Sequence, residues 1–221
     1  GILLSDNRGK PIHPRYKNFS LSKIQKVRED EQKKAALLGE YAGLCFLRYP
    51  SAFIRNTRYK KEVEAAVKRL IEKIKPSVIY THSLTDKHPT HRAAACRVIG
   101  ALKRTAPDKR PEYLYGIGVW GGLDWLPDSK RKAFDVSGYE ELASKLLKAY
   151  KSQMFGLHRY DAAVLSRRRA NAIFHRSRGF SKSSSIIYAM ELTSLINNPK
   201  LTIKKYLKSV ANELYKNSSA I

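Results

Sequence analysis

Between Tyr59 and Trp120 the hydrophobic period of the chain switches repeatedly, and that switching constrains the fold more than any other feature. Val63, Ala66, Leu70 and Ile74 recur at helical spacing until Pro76 stops them. The run Pro76-Ser-Val-Ile-Tyr-Thr81 is short, β-branched and apolar, which predicts a buried parallel strand. After a loop over 82–89, Ala94, Ala95, Val98, Ile99 and Leu102 mark the inward face of a helix from Thr90 to Arg104. Residues 112–120 return to strand character. Such alternation predicts an α/β fold, a mostly parallel sheet flanked by helices.

The flanking sequence extends this pattern. Residues 2–5 read as a strand ending at the turn Asp6-Asn7-Arg8-Gly9, and 10–20 as a polar loop. Ile24, Val27, Ala35 and Leu38 define an amphipathic helix over 22–41. Residues 132–137 are a strand candidate. Ser137-Gly-Tyr-Glu140 has the spacing of a capping box that opens a helix to Ser152. Helices are predicted near 160–174, 185–196 and 202–217. There is no internal repeat and no low-complexity linker. The expected division is one α/β domain over 1–200 and a helical C-terminal tail over 201–221.

Composition excludes several classes. With 43% hydrophobic residues among 221, the chain can bury a core, and wholesale disorder is not expected. No apolar run approaches the roughly 20 residues needed to span a bilayer, and nothing reads as a secretory signal, so the expected location is cytoplasmic. Cys45 and Cys96 are too few for a disulfide scaffold and read as buried thiols in a reducing compartment. The first residues look like a strand entered partway, so a preceding segment is expected. The formal charge of +24 is the outlier. It is densest in the C-terminal third, at Arg167-Arg168-Arg169 followed by His175, Arg176 and Arg178, and suits contact with a polyanion such as RNA or an anionic membrane; a solvated helix face is the simpler reading.

Chemistry concentrates in Tyr80-Thr-His82-Ser-Leu-Thr-Asp86-Lys-His88-Pro-Thr-His91-Arg92. It places His82, Asp86, His88 and His91 between the carboxyl end of a strand and the first turn of a helix, where open α/β sheets bind ligands. Imidazole is a good ligand for Zn²⁺, and Asp86 could bind metal or orient a histidine. A polar loop with helix-capping histidines is the plain alternative. His13, His158 and His175 have no comparable surroundings. Trp120 and Trp125 flank Gly121-Gly-Leu-Asp124, which could line a sugar site, although packing against the core is the expected role.

These residues carry a resemblance. The chain resembles the PIG-L-type (LmbE-like) zinc-dependent de-N-acetylases, a Rossmann-like α/β family acting on N-acetylglucosamine conjugates. It does so through Leu4-Ser-Asp-Asn-Arg-Gly9, Arg28-Glu-Asp-Glu31 with Ala35-Ala-Leu-Leu-Gly39, and Asp86-Lys-His88-Pro-Thr-His91-Arg-Ala-Ala. Trp120 through Leu126, Phe134-Asp-Val-Ser137, Ser152-Gln153 and Tyr188-Ala-Met-Glu191 follow in the family's order. The resemblance implies Zn²⁺ as cofactor with His91 as a ligand. It implies that His88 stabilises the oxyanion or protonates the leaving amine, that Asp86 holds a histidine, and that Arg28 lies near the substrate. For Arg28 a surface ion pair with a neighbouring acid is the alternative.

The chain also departs from the family. The His-Pro-(or Gln-)Asp-Asp motif after the first strand, which supplies two zinc ligands and the general base, is absent, and so is that strand. Ile12-His13-Pro14-Arg15 does not replace it, Thr90 stands for an aspartate, and Gly118, Arg178 and Ser181 stand where polar or acidic residues are expected. Two readings follow. One is a hydrolase that removes an N-acetyl group from an N-acetylglucosamine-type conjugate once the missing metal-binding segment is supplied. The other is a catalytically incomplete relative serving as a basic binding or structural module. Self-association is left open.

Overall fold

The computed structural model describes residues 1–175 and 182–219. Arg176, Arg178 and Ser181 lie outside the described residues. The chain divides into two compact units, one formed by Gly1–Phe53 and Asp135–Ile187, the other by Ile54–Phe134 and Tyr188–Ile221.

In the first unit, β1 (Ile2–Ser5) pairs parallel with β2 (Cys45–Tyr49), Ile2 opposite Cys45 and Leu3 opposite Phe46. The register shifts between Leu3 and Ser5, and Arg48 takes a left-handed backbone (φ 55°). The Arg48 guanidinium reaches Glu29 of α1 (Leu21–Leu38), with Nε donating to Oε1 at 2.7 Å and Nη2 to Oε2 at 3.0 Å. Ser20 caps α1 by accepting from the Lys23 amide, and Ile24, Ala35 and Ala36 are its buried face. Strand β2 was not expected from the sequence, although Gly43 and Pro50 bracket it. The chain then forms the short α2 (Ser51–Arg55).

α3 (Lys60–Ile74) and α4 (Pro89–Lys103) pack on one another in the second unit. Ala95, Val98, Ile99 and Leu102 of α4 are buried as expected, whereas Ala94 is half-buried. Along α3 the buried stripe runs through Val63, Ala66, Val67 and Ile71 and leaves Ile74 exposed. β3 (Val78–His82) lies parallel to β4 (Tyr113–Ile117), in register from Val78 opposite Tyr113 to His82 opposite Ile117. β3 is half-buried rather than buried, and Tyr80 is 56% exposed.

The four-stranded sheet has the order β3-β4-β6-β5, with β5 at Arg131–Asp135 and β6 at Ile186–Glu191 antiparallel to β4. The helix expected near 185–196 is therefore corrected to a strand followed by the short helix α7 (Thr193–Asn197). Ile186, Tyr188, Ala189 and Met190 are all buried, and a run buried on both faces carries no period to separate strand from helix.

The expected capping box is corrected too. The Ser137 hydroxyl donates to Asp135 and accepts from the Ser184 amide, while Glu140 accepts from the Ser184 hydroxyl. α5 (Glu140–Lys148) starts without a side-chain cap. α6 (Tyr160–Phe174) and α8 (Ile203–Ser219) complete the described chain. α8 buries Tyr206 and Val210, and the Tyr206 hydroxyl donates to the Glu191 carbonyl. Both cysteines are free and half-buried, not buried.

Candidate metal centre

His82 is the last residue of β3, and the loop that follows is folded by its own polar side chains. The Ser83 amide donates to the Ile117 carbonyl of β4, continuing the ladder by one residue. Thr85 N donates to Ser83 Oγ, and His88 N donates to Asp86 Oδ1 at 2.8 Å, an Asx turn that delivers the chain to Pro89 at the first position of α4. Arg92, one turn into α4, ties the loop down by donating to the Asp86 carbonyl at 2.7 Å and the Lys87 carbonyl at 3.0 Å.

Asp86 organises this arrangement. Its side chain is wholly buried, and Oδ2 accepts from the amides of Val119 (3.2 Å) and Trp120 (3.4 Å). Burial pushes its carboxyl upward. The amides of His88, Val119 and Trp120 and the charge of His91 outweigh that and hold it below its ordinary value.

Asp86 Oδ1 lies 3.2 Å from His91 Nδ1, yet that nitrogen is buried and makes no aligned hydrogen bond. The His82 and His91 rings stack 3.9 Å apart at 2°. His88 is exposed, and its ring is 4.6 Å from that of His91. Burial, assisted by His91, lowers His82 to about 4, and burial lowers His91 against the opposing pull of Asp86. Both imidazoles are thus neutral near pH 7, the form that ligates metal.

One donor atom from each of His82, Asp86 and His91 lies within 4.8 Å of the other two, the one such group among the described residues. Two neutral imidazoles, one of them with an orphaned ring nitrogen, and a carboxylate fit a divalent metal ion in donor chemistry. The group is short in number, because both Asp86 oxygens already accept from backbone amides. The structure therefore brings together Asp86, His88 and His91, which the sequence singled out. It adds His82 as a third donor, visible in the sequence only as one of four ligand-type side chains.

Arg28 belongs to the first unit. Nη1 donates to the Asn7 carbonyl at 3.1 Å and Nη2 to the Lys10 carbonyl at 3.3 Å, which braces the turn after β1. Its guanidinium goes to carbonyls rather than into the ion pair considered as the alternative; burial lowers its pKa, with Glu31 opposing. Glu31 has a different duty, accepting from the Ser152 amide at 2.6 Å and the Ser152 hydroxyl at 2.7 Å.

Trp120 and Trp125 do not pack into the core as expected; they are 45% and 42% exposed. Gly118 is explained by space, since a Cβ there would fall 2.5 Å from the Gly121 carbonyl oxygen. In α6, Arg167 and Arg168 are half-buried and Arg169 is exposed, so the triplet is not one solvated face.

The PIG-L family model, GlcNAc-PI de-N-acetylase, matches residues 2–102. No curated protein matches the chain. Among solved structures, 4-carboxy-2-hydroxymuconate hydratase from Pseudomonas putida is 17% identical with a TM-score of 0.63, covering 91% of this chain and 84% of its own. A conserved protein of Thermus thermophilus is 19% identical with a TM-score of 0.61, covering 92% and 83%. N,N'-diacetylchitobiose deacetylase from Pyrococcus horikoshii is 13% identical with a TM-score of 0.61, covering 85% and 71%. At these identities the likeness is one of fold, and the fold serves a hydratase as well as a deacetylase.

Proposed function

Taking the chain as PIG-L-type, a match that spans residues 2–102, we propose that it is a zinc-dependent hydrolase removing the acetyl group from an N-acetylglucosamine-type conjugate. The observation that carries this reading is the group of His82, Asp86 and His91 at the carboxyl end of β3. A bound Zn²⁺ would polarise the amide carbonyl and lower the pKa of a water molecule.

The chain's own residues divide the remaining work. His91 and His82 ligate through neutral imidazole. Asp86, fixed by three amides, sets its carboxylate 3.2 Å from His91 Nδ1 and so positions that ring. His88, exposed beside His91, offsets charge on the tetrahedral intermediate and passes a proton to the leaving amine. Arg28 is assigned to substrate contact, holding the turn after β1 in place. Because the one carboxylate of the group is already engaged, full activity depends on a general base and further ligands from outside the group. Acetate release from N,N'-diacetylchitobiose, measured together with Zn²⁺ uptake, tests this. His91→Ala should abolish both, and release unchanged by that substitution would sink the hydrolase.

A second reading, polyanion binding, is supported by α8. Lys204, Lys205 and Lys208 are exposed there and form no ion pair among the described residues. Glu213 is engaged by the Ser129 hydroxyl. Affinity for single-stranded RNA should then fall with salt, with a log–log slope of about −0.7 for each phosphate neutralised. Binding that ignores salt would exclude this surface.

A further inference from the structure

We propose that the first unit carries a site for single-stranded nucleic acid, formed by a row of four aromatic rings set among exposed cations. The site is independent of the hydrolase reading. It shares a ligand class with α8 but lies in the other unit and adds a second kind of contact, base stacking. Turn geometry builds the row. The Tyr16 amide donates to the His13 carbonyl at 3.0 Å and the Phe19 amide to the Tyr16 carbonyl at 3.1 Å, so this stretch advances in steps of three residues. Side chains three apart in such turns lie over one another. The rings of His13 and Tyr16 are accordingly 5.6 Å apart and those of Tyr16 and Phe19 5.4 Å, and Phe155 extends the row beyond His13 at 4.9 Å. Pro14 and the Arg15 amide, which donates to His13 Nδ1 at 3.1 Å, stiffen the first turn. The amides of Ile12 and His13 donate to the Ser152 carbonyl and anchor the loop. A platform fixed before its ligand arrives lowers the ordering cost of binding.

Exposure and charge identify the ligand class. The end rings, Phe19 and Phe155, are 39% and 49% exposed, apolar surface that a stacked base would cover. From residue 7 to residue 28 the chain has seven Lys and Arg and no Asp or Glu. Lys23 Nζ lies 5.8 Å from the centre of the Phe19 ring. Arg15 and Lys17, which alternate with the rings along the chain, are exposed, as is Lys151 beside the anchor. None of these three forms an ion pair among the described residues. Cations alone would suit any polyanion. Rings interleaved with cations fit a strand whose bases are unpaired, because each base offers a π face and each linkage a phosphate. A duplex keeps its bases stacked on one another, and a lipid headgroup has none to offer.

Fluorescence anisotropy with a labelled single-stranded oligoadenylate of about 12 nucleotides tests the site. The intact chain should bind it more tightly than the same RNA annealed to its complement. Phe19→Ala and Phe155→Ala should each weaken binding about tenfold without changing its salt dependence. Phe19→Leu keeps an apolar side chain in place and should lose as much, whereas Phe19→Tyr keeps the ring and should lose little. Replacing Arg15 and Lys17 together by Ala should instead flatten the log–log salt slope by about 1.4. Binding that is absent, or that the ring substitutions leave unchanged, would overturn the site. Binding removed by Lys204→Glu with Lys205→Glu in α8, and by none of the ring substitutions, would assign the contact to α8 alone and overturn it as well. Equal affinity for the duplex or for phosphatidylserine vesicles would do the same.

Discussion

Each unit of this protein contains a buried carboxylate that holds loop backbone, and the two differ in what is left over. In the first, Glu31 gives one oxygen to the Ser152 amide and the other to the Ser152 hydroxyl. The Ser152 carbonyl in turn accepts from the amides of Ile12 and His13, so the opening loop is fastened through one clasp. In the second, Asp86 accepts from three amides and still faces His91 Nδ1 at 3.2 Å, with His82 stacked behind. Glu31 is used up by structure. Asp86 has structural partners and a chemical one, and a buried acid next to an imidazole with an unpaired nitrogen is where function is to be sought.

The comparison can be broken from either side. Asp86→Ala should have the largest effect. It removes the acceptor of the His88, Val119 and Trp120 amides, costing about 3 kcal/mol in denaturant unfolding, and weakens Zn²⁺ binding about tenfold to hundredfold by dialysis. Glu31→Ala should cost about 2 kcal/mol by the same unfolding measurement, because the Ser152 amide is left buried without a partner. Zn²⁺ affinity should not change in that variant; a matching loss would mean the two acids do not differ as argued.

Gly100 offers a third buried acid for contrast. A Cβ there would lie 2.1 Å from Oε1 of Glu64, whose Oε2 is 2.9 Å from Arg104 Nη1. Gly100→Ala must displace that carboxylate, and a thermal melt should show a loss of about 1–2 kcal/mol.

The smallest effect belongs to a pair of which Asp161 is buried and Arg159 exposed. Arg159 bonds both oxygens of Asp161 at 2.9 Å and holds its carboxyl down to about 2. A depressed folded pKa gives stability that is present above the ordinary value, near 4, and is lost as pH falls through about 2. Solvent around Arg159 screens the pair. Asp161→Asn should therefore be slightly less stable than the parent chain above pH 4 in acid unfolding, and the difference should vanish below pH 2.

Much of this architecture can be read in the residues, for identifiable reasons. α1, α3 and α4 announce themselves because each buries one face, which leaves a period in the sequence, and β3 by its short β-branched apolar run after Pro76. β6 and β2 do not. Ile186 to Met190 is buried almost throughout, and Cys45–Tyr49 is five residues long with no alternation of burial. Within the site, His82, Asp86, His88 and His91 are legible because they fall in one short stretch of sequence from the end of β3 to the first turn of α4. The amides that hold Asp86 come from Val119 and Trp120, more than thirty residues on, and Glu31 meets Ser152 across 121 positions. Pairings at that separation are properties of the folded chain and leave no local pattern. The outward tryptophans belong to the same class, since nothing in Trp120 to Trp125 states which way the rings turn.

Equilibrium dialysis against Zn²⁺ tests the central claim most directly, with the intact chain beside His82→Ala and His91→Ala. The expected result is saturable uptake by the intact chain, reduced in the first variant and lost in the second. Uptake that is absent from the intact chain, or that persists unchanged in both variants, would contradict the assignment of this group as a metal centre.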